Sequence, residues 1–122
     1  MTKVMVIEDD LTMQGLLKTL LSLEGYQVIL GDDGGDEIMA AIYQEKPDFL
    51  LLDVHLKKTS GLDIIRRLHT VPGSFLPLIL MSSGRDNSDE CLRAGADGFL
   101  LKPYMPSELT GWIKDHIEQK RG

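Results

Sequence analysis

Four short apolar runs in this sequence end on a residue able to do chemistry. Val4 to Ile7 leads into Glu8-Asp9-Asp10, Phe49 to Leu52 into Asp53, Leu78 to Met81 into Ser82-Ser83, and Phe99 to Leu101 into Lys102-Pro103. Carboxylates, a hydroxyl and a lysine are the parts needed for phosphoryl transfer to a carboxylate: a nucleophile, with cations and donors that hold charge on the equatorial oxygens. Glu8, Asp9 and Asp53, if they converge, repel one another by on the order of 1 to 4 kcal/mol per close pair at effective dielectrics of about 80 to 20. Something positive must therefore sit among them. Lys102 supplies one fixed charge, and a divalent ion bound through oxygen supplies the rest; a hard site with few protein ligands suits Mg²⁺.

Each residue also has a plainer use. Asp9 and Asp10 could cap the helix that follows, where anions favour the N-terminus. Ser82 or Ser83 could be a loop hydroxyl and Lys102 a solvated lysine. Coincidence argues against these uses taken together, because four separate strand ends would all have to be polar in compatible ways for no shared reason.

The elements that must position these groups follow from periodicity. Apolar runs of strand length alternate with segments of helical period: Met13/Leu16/Leu17/Leu20, Ile38/Ala41/Ile42, Ile64/Leu68, a short helix around Cys91-Leu92, and Leu109/Ile113/Ile117. Tyr26 to Leu30 is the remaining strand, which gives five βα units. Gly25, Pro47, Pro72-Gly73 and Gly95 fall where the first four helices should stop. Strands separated by helices run parallel and need helices on both faces, so the expected fold is a doubly wound, flavodoxin-like sheet. All strand carboxyl ends then lie along one edge, where ligands bind at the point of strand-order reversal. Asp53 ends a core strand because the strand aims it into that crevice.

Composition narrows the function. A chain of 122 residues with 43% apolar content fits one domain with an ordinary core. The net charge of −6 argues against nucleic-acid binding or a polybasic membrane anchor in this chain. The lone Cys91 cannot form an internal disulfide and reads as a small packed residue. The N-terminus has neither the pattern of a signal peptide nor the length of a membrane span, so the expected location is the cytoplasm.

The acid pair Glu8 and Asp9, Asp53, Ser82, Lys102-Pro103, and the stretch D-V-H-L-K-K-T-S-G with Gly61 eight residues after Asp53 resemble the receiver domain of two-component response regulators, the CheY-like superfamily. The likeness runs from Lys3 to about Ile117, so residues 1–122 are expected to be one receiver domain with a core of about 3–118. The resemblance implies a (βα)5 fold with strand order 2-1-3-4-5. It implies that Asp53 accepts a phosphoryl group from a histidine kinase or histidine phosphotransfer protein. Mg²⁺, or Mn²⁺ in its place, would be held by Asp9, Asp53 and the backbone carbonyl of His55, with Glu8 assisting through water. Lys102 would pair with the phosphoryl group, Ser82 would move toward it, Phe99 would be the switch aromatic, and the bond before Pro103 would be cis. The signal would pass to an output domain or downstream protein through the face of the fourth and fifth helices, or through a phosphorylation-dependent dimer.

The sequence departs from the family pattern in four places. Glu8 stands where Asp is commoner, Lys57 replaces a usual proline, Phe99 lacks a phenol hydroxyl, and His55 brings an imidazole near the acceptor, where it either modulates hydrolysis or faces solvent. The span from Ser82 to Lys102 is about two residues short, which would shorten the fourth helix or its leading loop. Two other functions compete. A degenerate receiver would act as a phosphorylation-independent interaction module, and an aspartyl-phosphate hydrolase would want an acid where His55 stands. The chain is not expected to turn over an external substrate.

Overall fold

The computed structural model describes residues 1–31, 35–70 and 75–121. Five strands alternate with five helices: β1 (Lys3–Ile7), α1 (Leu11–Leu23), β2 (Gln27–Leu30), α2 (Gly35–Glu45), β3 (Phe49–Asp53), α3 (Gly61–Thr70), β4 (Leu78–Ser83), α4 (Ser88–Ala94), β5 (Gly98–Leu101) and α5 (Pro106–Arg121). All neighbouring strands are parallel, in the order β2-β1-β3-β4-β5. The doubly wound sheet expected from the alternation is the fold observed.

The period of two along each strand divides the core. Met5, Ile7, Leu50 and Leu52 face one cluster with α2, α3 and α4, whereas Val4, Val6, Phe49 and Leu51 face another with α1 and α5. Burial on both faces explains why β3 reads as continuous apolar sequence; all five of its residues, Asp53 included, are buried. At the amino end of β3, the Trp112 indole of α5 meets the Phe49 ring edge-on with centroids 6.0 Å apart. It also stacks on His116 at 3.8 Å.

Most helix boundaries match their signals. Asp10 is the N-cap of α1, its Oδ1 accepting the Met13 N–H at 3.0 Å. Pro106 opens α5, and Glu108 reaches back to accept the Met105 N–H at 2.6 Å. Gly25 (φ 90°) and Gly95 (φ 113°) adopt the left-handed conformation that stops α1 and α4. Pro47 follows the end of α2, after Lys46 with φ 47°. Pro72-Gly73 lies outside the described residues. With seven residues α4 is shorter than any other helix, in line with the short span noted in the sequence.

One helix face differs from expectation. In α1, Leu17 and Leu21 are buried, but Leu16, expected on the core side, is 62% exposed. A helix this rich in leucine carries more than one apolar stripe, and the sheet selects the one through Leu17 and Leu21.

Candidate functional site at the carboxyl edge of the sheet

The sheet register brings the candidate residues together. Asp53 is the last residue of β3 and pairs with Ser82 of β4. On the other side of β3, Ile7 pairs with Leu52, so Glu8 and Asp9 emerge beside Asp53. Lys102 follows β5, its backbone N–H donating to the Ser83 carbonyl at 2.8 Å, and the Lys102-Pro103 peptide is cis.

Lys102 is the centre of the cluster. Its Nζ donates to Glu8 Oε1 at 2.6 Å and to Asp53 Oδ2 at 3.1 Å. The side chains of Glu8 and Asp53 are only 6% and 10% exposed, so little water screens either contact. Burial raises the Asp53 pKa above the ordinary carboxylate value; Lys102 pulls it down, Glu8 adds to the rise, and burial wins. Burial opposes the charge on Lys102 as well, but the hydrogen bond to Glu8 and the charge of Asp53 outweigh it and hold the ammonium above the ordinary lysine range. The phenol of Tyr104, next along the chain from Pro103, is pushed up to about 12, mainly by burial.

The acids have different partners. Glu8 Oε2 accepts the Asp10 N–H at 3.3 Å, and its backbone carbonyl accepts from the Gln14 side-chain amide. Asp53 Oδ1 lies 3.4 Å from the His55 N–H. Asp9 Oδ1 is buried and has no hydrogen-bond partner. A buried carboxylate oxygen without a partner is costly, which makes it a place for a cation to bind. Among the described residues no three His, Cys, Asp or Glu side chains are grouped to hold a metal by themselves. A hard ion here would need backbone carbonyl and water oxygens besides Asp9 and Asp53, a donor set that fits Mg²⁺.

The remaining candidates sit around this centre. Ser82 is 3% exposed. Phe99 pairs with Met81 and packs, half-buried, against the cluster formed with α2, α3 and α4. The His55 side chain is exposed, and its backbone bridges Ser60 at the start of α3. Gly61 touches the site through its backbone: a Cβ there would lie 2.2 Å from the Asp53 carbonyl oxygen, so α3 can start this close to β3 only at a glycine. The eight-residue spacing marks Gly61 in the sequence, and this close approach of α3 to β3 is the reason for it. Gln14 and Asn87 carry no mark in the sequence, because side-chain amides that bind backbone or loop groups leave no periodic signal.

Comparison with known proteins agrees with this geometry. The model of the response regulator receiver domain matches residues 4–114. The probable transcriptional regulator ycf27 of Guillardia theta is 32% identical over 92% of this chain and 44% of its own length. The DNA-binding response regulator MtrA of Mycobacterium tuberculosis is 28% identical over 96% of this chain and 51% of its own. The chain thus spans about half the length of the curated relatives it matches. The crystal structure of a CheY-like response regulator receiver domain protein from Methanospirillum hungatei superimposes with a TM-score of 0.86 at 27% identity, covering 99% of this chain and 97% of that one. A family model that matches residues 4–114, on a chain folded as a five-stranded parallel sheet in the order 2-1-3-4-5, shows that the chain belongs to the response regulator receiver domains.

Proposed function

We propose that the chain is a phosphorylation-controlled switch in which Asp53 is the phospho-acceptor and residues 1–122 act as one receiver unit. The observation that carries the reading is Lys102 Nζ bridging Glu8 and Asp53 next to the unpartnered Asp9 Oδ1. An Asp53 carboxylate oxygen forms a bond to phosphorus while the phosphorus–nitrogen bond of a phosphohistidine on a kinase or phosphotransfer protein breaks, its electron pair returning to the imidazole. Lys102 stays beside Asp53 and takes up the charge gathering on the phosphoryl oxygens. Asp9, Asp53 and the His55 carbonyl would hold Mg²⁺, with Glu8 acting through water. Held there, the ion would supply further positive charge to the site.

Ser82, next to Asp53 across the β3–β4 pairing, is placed to gain a charge-assisted hydrogen bond to the phosphoryl group, and Phe99 repacks in response. His55, exposed two residues beyond the acceptor, is the group to test for an effect on hydrolysis. One matched relative is named as DNA-binding, and the chain spans about half of it. With a net charge of −6, the present chain is the regulated part of such an arrangement and not the part that binds nucleic acid. Its state is read by an output module, a downstream protein or a second copy over the α4–α5 face. No helix among the described residues is long and apolar enough to cross a membrane, and the cytoplasm is the location that fits a kinase-fed switch.

Intact-mass analysis after incubation with Mg²⁺ and acetyl phosphate tests the reading. One phosphoryl adduct is expected, and Asp53→Asn should abolish it. No adduct on the wild type would make the chain a degenerate receiver; steady release of phosphate from an external ester would make it a hydrolase.

A further inference from the structure

Beside the candidate switch hydroxyl lies a second, fully buried one. Ser83 is 0% exposed, and its Oγ donates to Asn87 Oδ1 at 2.8 Å while accepting the Arg85 N–H at 3.1 Å. Asn87 occupies the N-cap position of α4 yet makes no cap bond with its side chain. Its Nδ2 donates to Glu90 Oε1 at 3.1 Å, which fixes the amide orientation and leaves Oδ1 facing Ser83. The residue at the N-cap of the shortest helix is therefore tied to the end of β4. The same Ser83 takes the Lys102 backbone N–H on its carbonyl, so one residue joins Lys102, the β4 end and α4. At its other end α4 is held by His69 Nε2 against the Gly95 carbonyl at 3.2 Å.

We infer that the Ser83–Asn87 hydrogen bond is a latch that holds α4 in place while Asp53 is a free carboxylate, and that it opens when Ser82 moves toward a phosphoryl group. The inference rests on the phospho-acceptor reading of Asp53. Ser82 and Ser83 share a peptide unit, so a displacement of one turns the carbonyl and hydroxyl geometry of the other. A bond made only in the resting arrangement adds to the cost of leaving it, and its removal raises the affinity for whatever favours the other arrangement by the same factor.

The test uses Ser83→Ala, Asn87→Ala and the double variant, with beryllium fluoride plus Mg²⁺ as the phosphoryl mimic. Each single variant should bind the mimic roughly threefold to tenfold tighter than wild type, the equivalent of one net hydrogen bond. The two effects should be less than additive in the double variant, because both singles remove the same bond, whereas the bonds of Ser83 to Arg85 and of Asn87 to Glu90 are each lost in only one of them. Amide hydrogen exchange over residues 84–94 should quicken in the singles without the mimic, with residues 61–70 unchanged. Asn87→Ser, which keeps a helix-capping group too short to reach Ser83, should behave like Asn87→Ala. Unchanged or weaker mimic binding, or Asn87→Ser behaving as wild type, overturns the latch. A wild type that takes no mimic overturns the phospho-acceptor reading and with it the opening step, whereas unchanged exchange in Ser83→Ala overturns the holding of α4 by the Ser83–Asn87 bond.

Discussion

At the amino edge of the sheet, Asp48 and Asp97 each stand one residue before a strand and each binds the backbone of a neighbouring strand. Asp48 Oδ2 accepts the Lys3 N–H at 2.8 Å, and Asp97 Oδ2 accepts the Ile79 N–H at 2.7 Å. At the carboxyl edge, Glu8 and Asp53 also stand at strand ends, but they face one another across Lys102, and Asp9 Oδ1 faces no donor. The same residue type thus closes the backbone ladder at one edge and is held in mutual conflict at the other. Acids at the first edge should stabilise the fold, whereas the raised pKa of Asp53 says that a charged acid at the second is opposed by it.

Mutation can break this contrast, and the largest effect should come from removing the lysine. Lys102→Met leaves Glu8 and Asp53 facing each other and should cost about 3 kcal/mol at pH 7 in urea denaturation, at the low end for a buried pair because Lys102 keeps 23% exposure. Adding Asp53→Asn to that variant should recover more than half of the loss; no recovery would mean that the acids do not repel as described.

A smaller loss is expected at the other edge. Asp48→Ala and Asp97→Ala should each lower stability by about 1 to 2 kcal/mol, in proportion to the charge-assisted bond removed. If either raised it, the division between the two edges would fail.

The smallest effect has the opposite sign. Asp53→Asn should stabilise the protein by about 1 kcal/mol at pH 7. The Asp53 pKa is raised in the folded state, so the fold holds this proton more tightly than the unfolded chain does, and its ionisation costs stability as pH rises above the ordinary value of 3.8. The advantage of the variant should therefore be full at neutral pH and fade toward pH 4. An advantage that grew on acidification would contradict the burial of Asp53.

Much of this was legible in the sequence, for a physical reason. Strands buried on both faces must be apolar throughout, so any polar residue at their ends stands out, and that is how Glu8, Asp53, Ser82 and Lys102 are found. The exposed Leu16 shows where pattern fails: with leucine on several faces of α1, only contact with the sheet decides which is core. Asp48 and Asp97 could not be read as strand anchors, because the backbone N–H groups that donate to them are set by register between strands distant in sequence. The tie between Ser83 and Asn87 is equally hidden, although the sequence marks Ser83 as a hydroxyl at a strand end, because its partner lies in a loop with no periodic signal.

The single tryptophan has a practical consequence for optical work on this domain. Trp112 packs on Phe49, at the first residue of β3, while Asp53 is the last residue of the same strand. Its emission should follow global unfolding faithfully and stay almost silent to events at Asp53. Rapid-mixing fluorescence would miss ligand arrival unless a second indole were introduced near the β5–α5 connection, where Tyr104 already offers an aromatic position to replace.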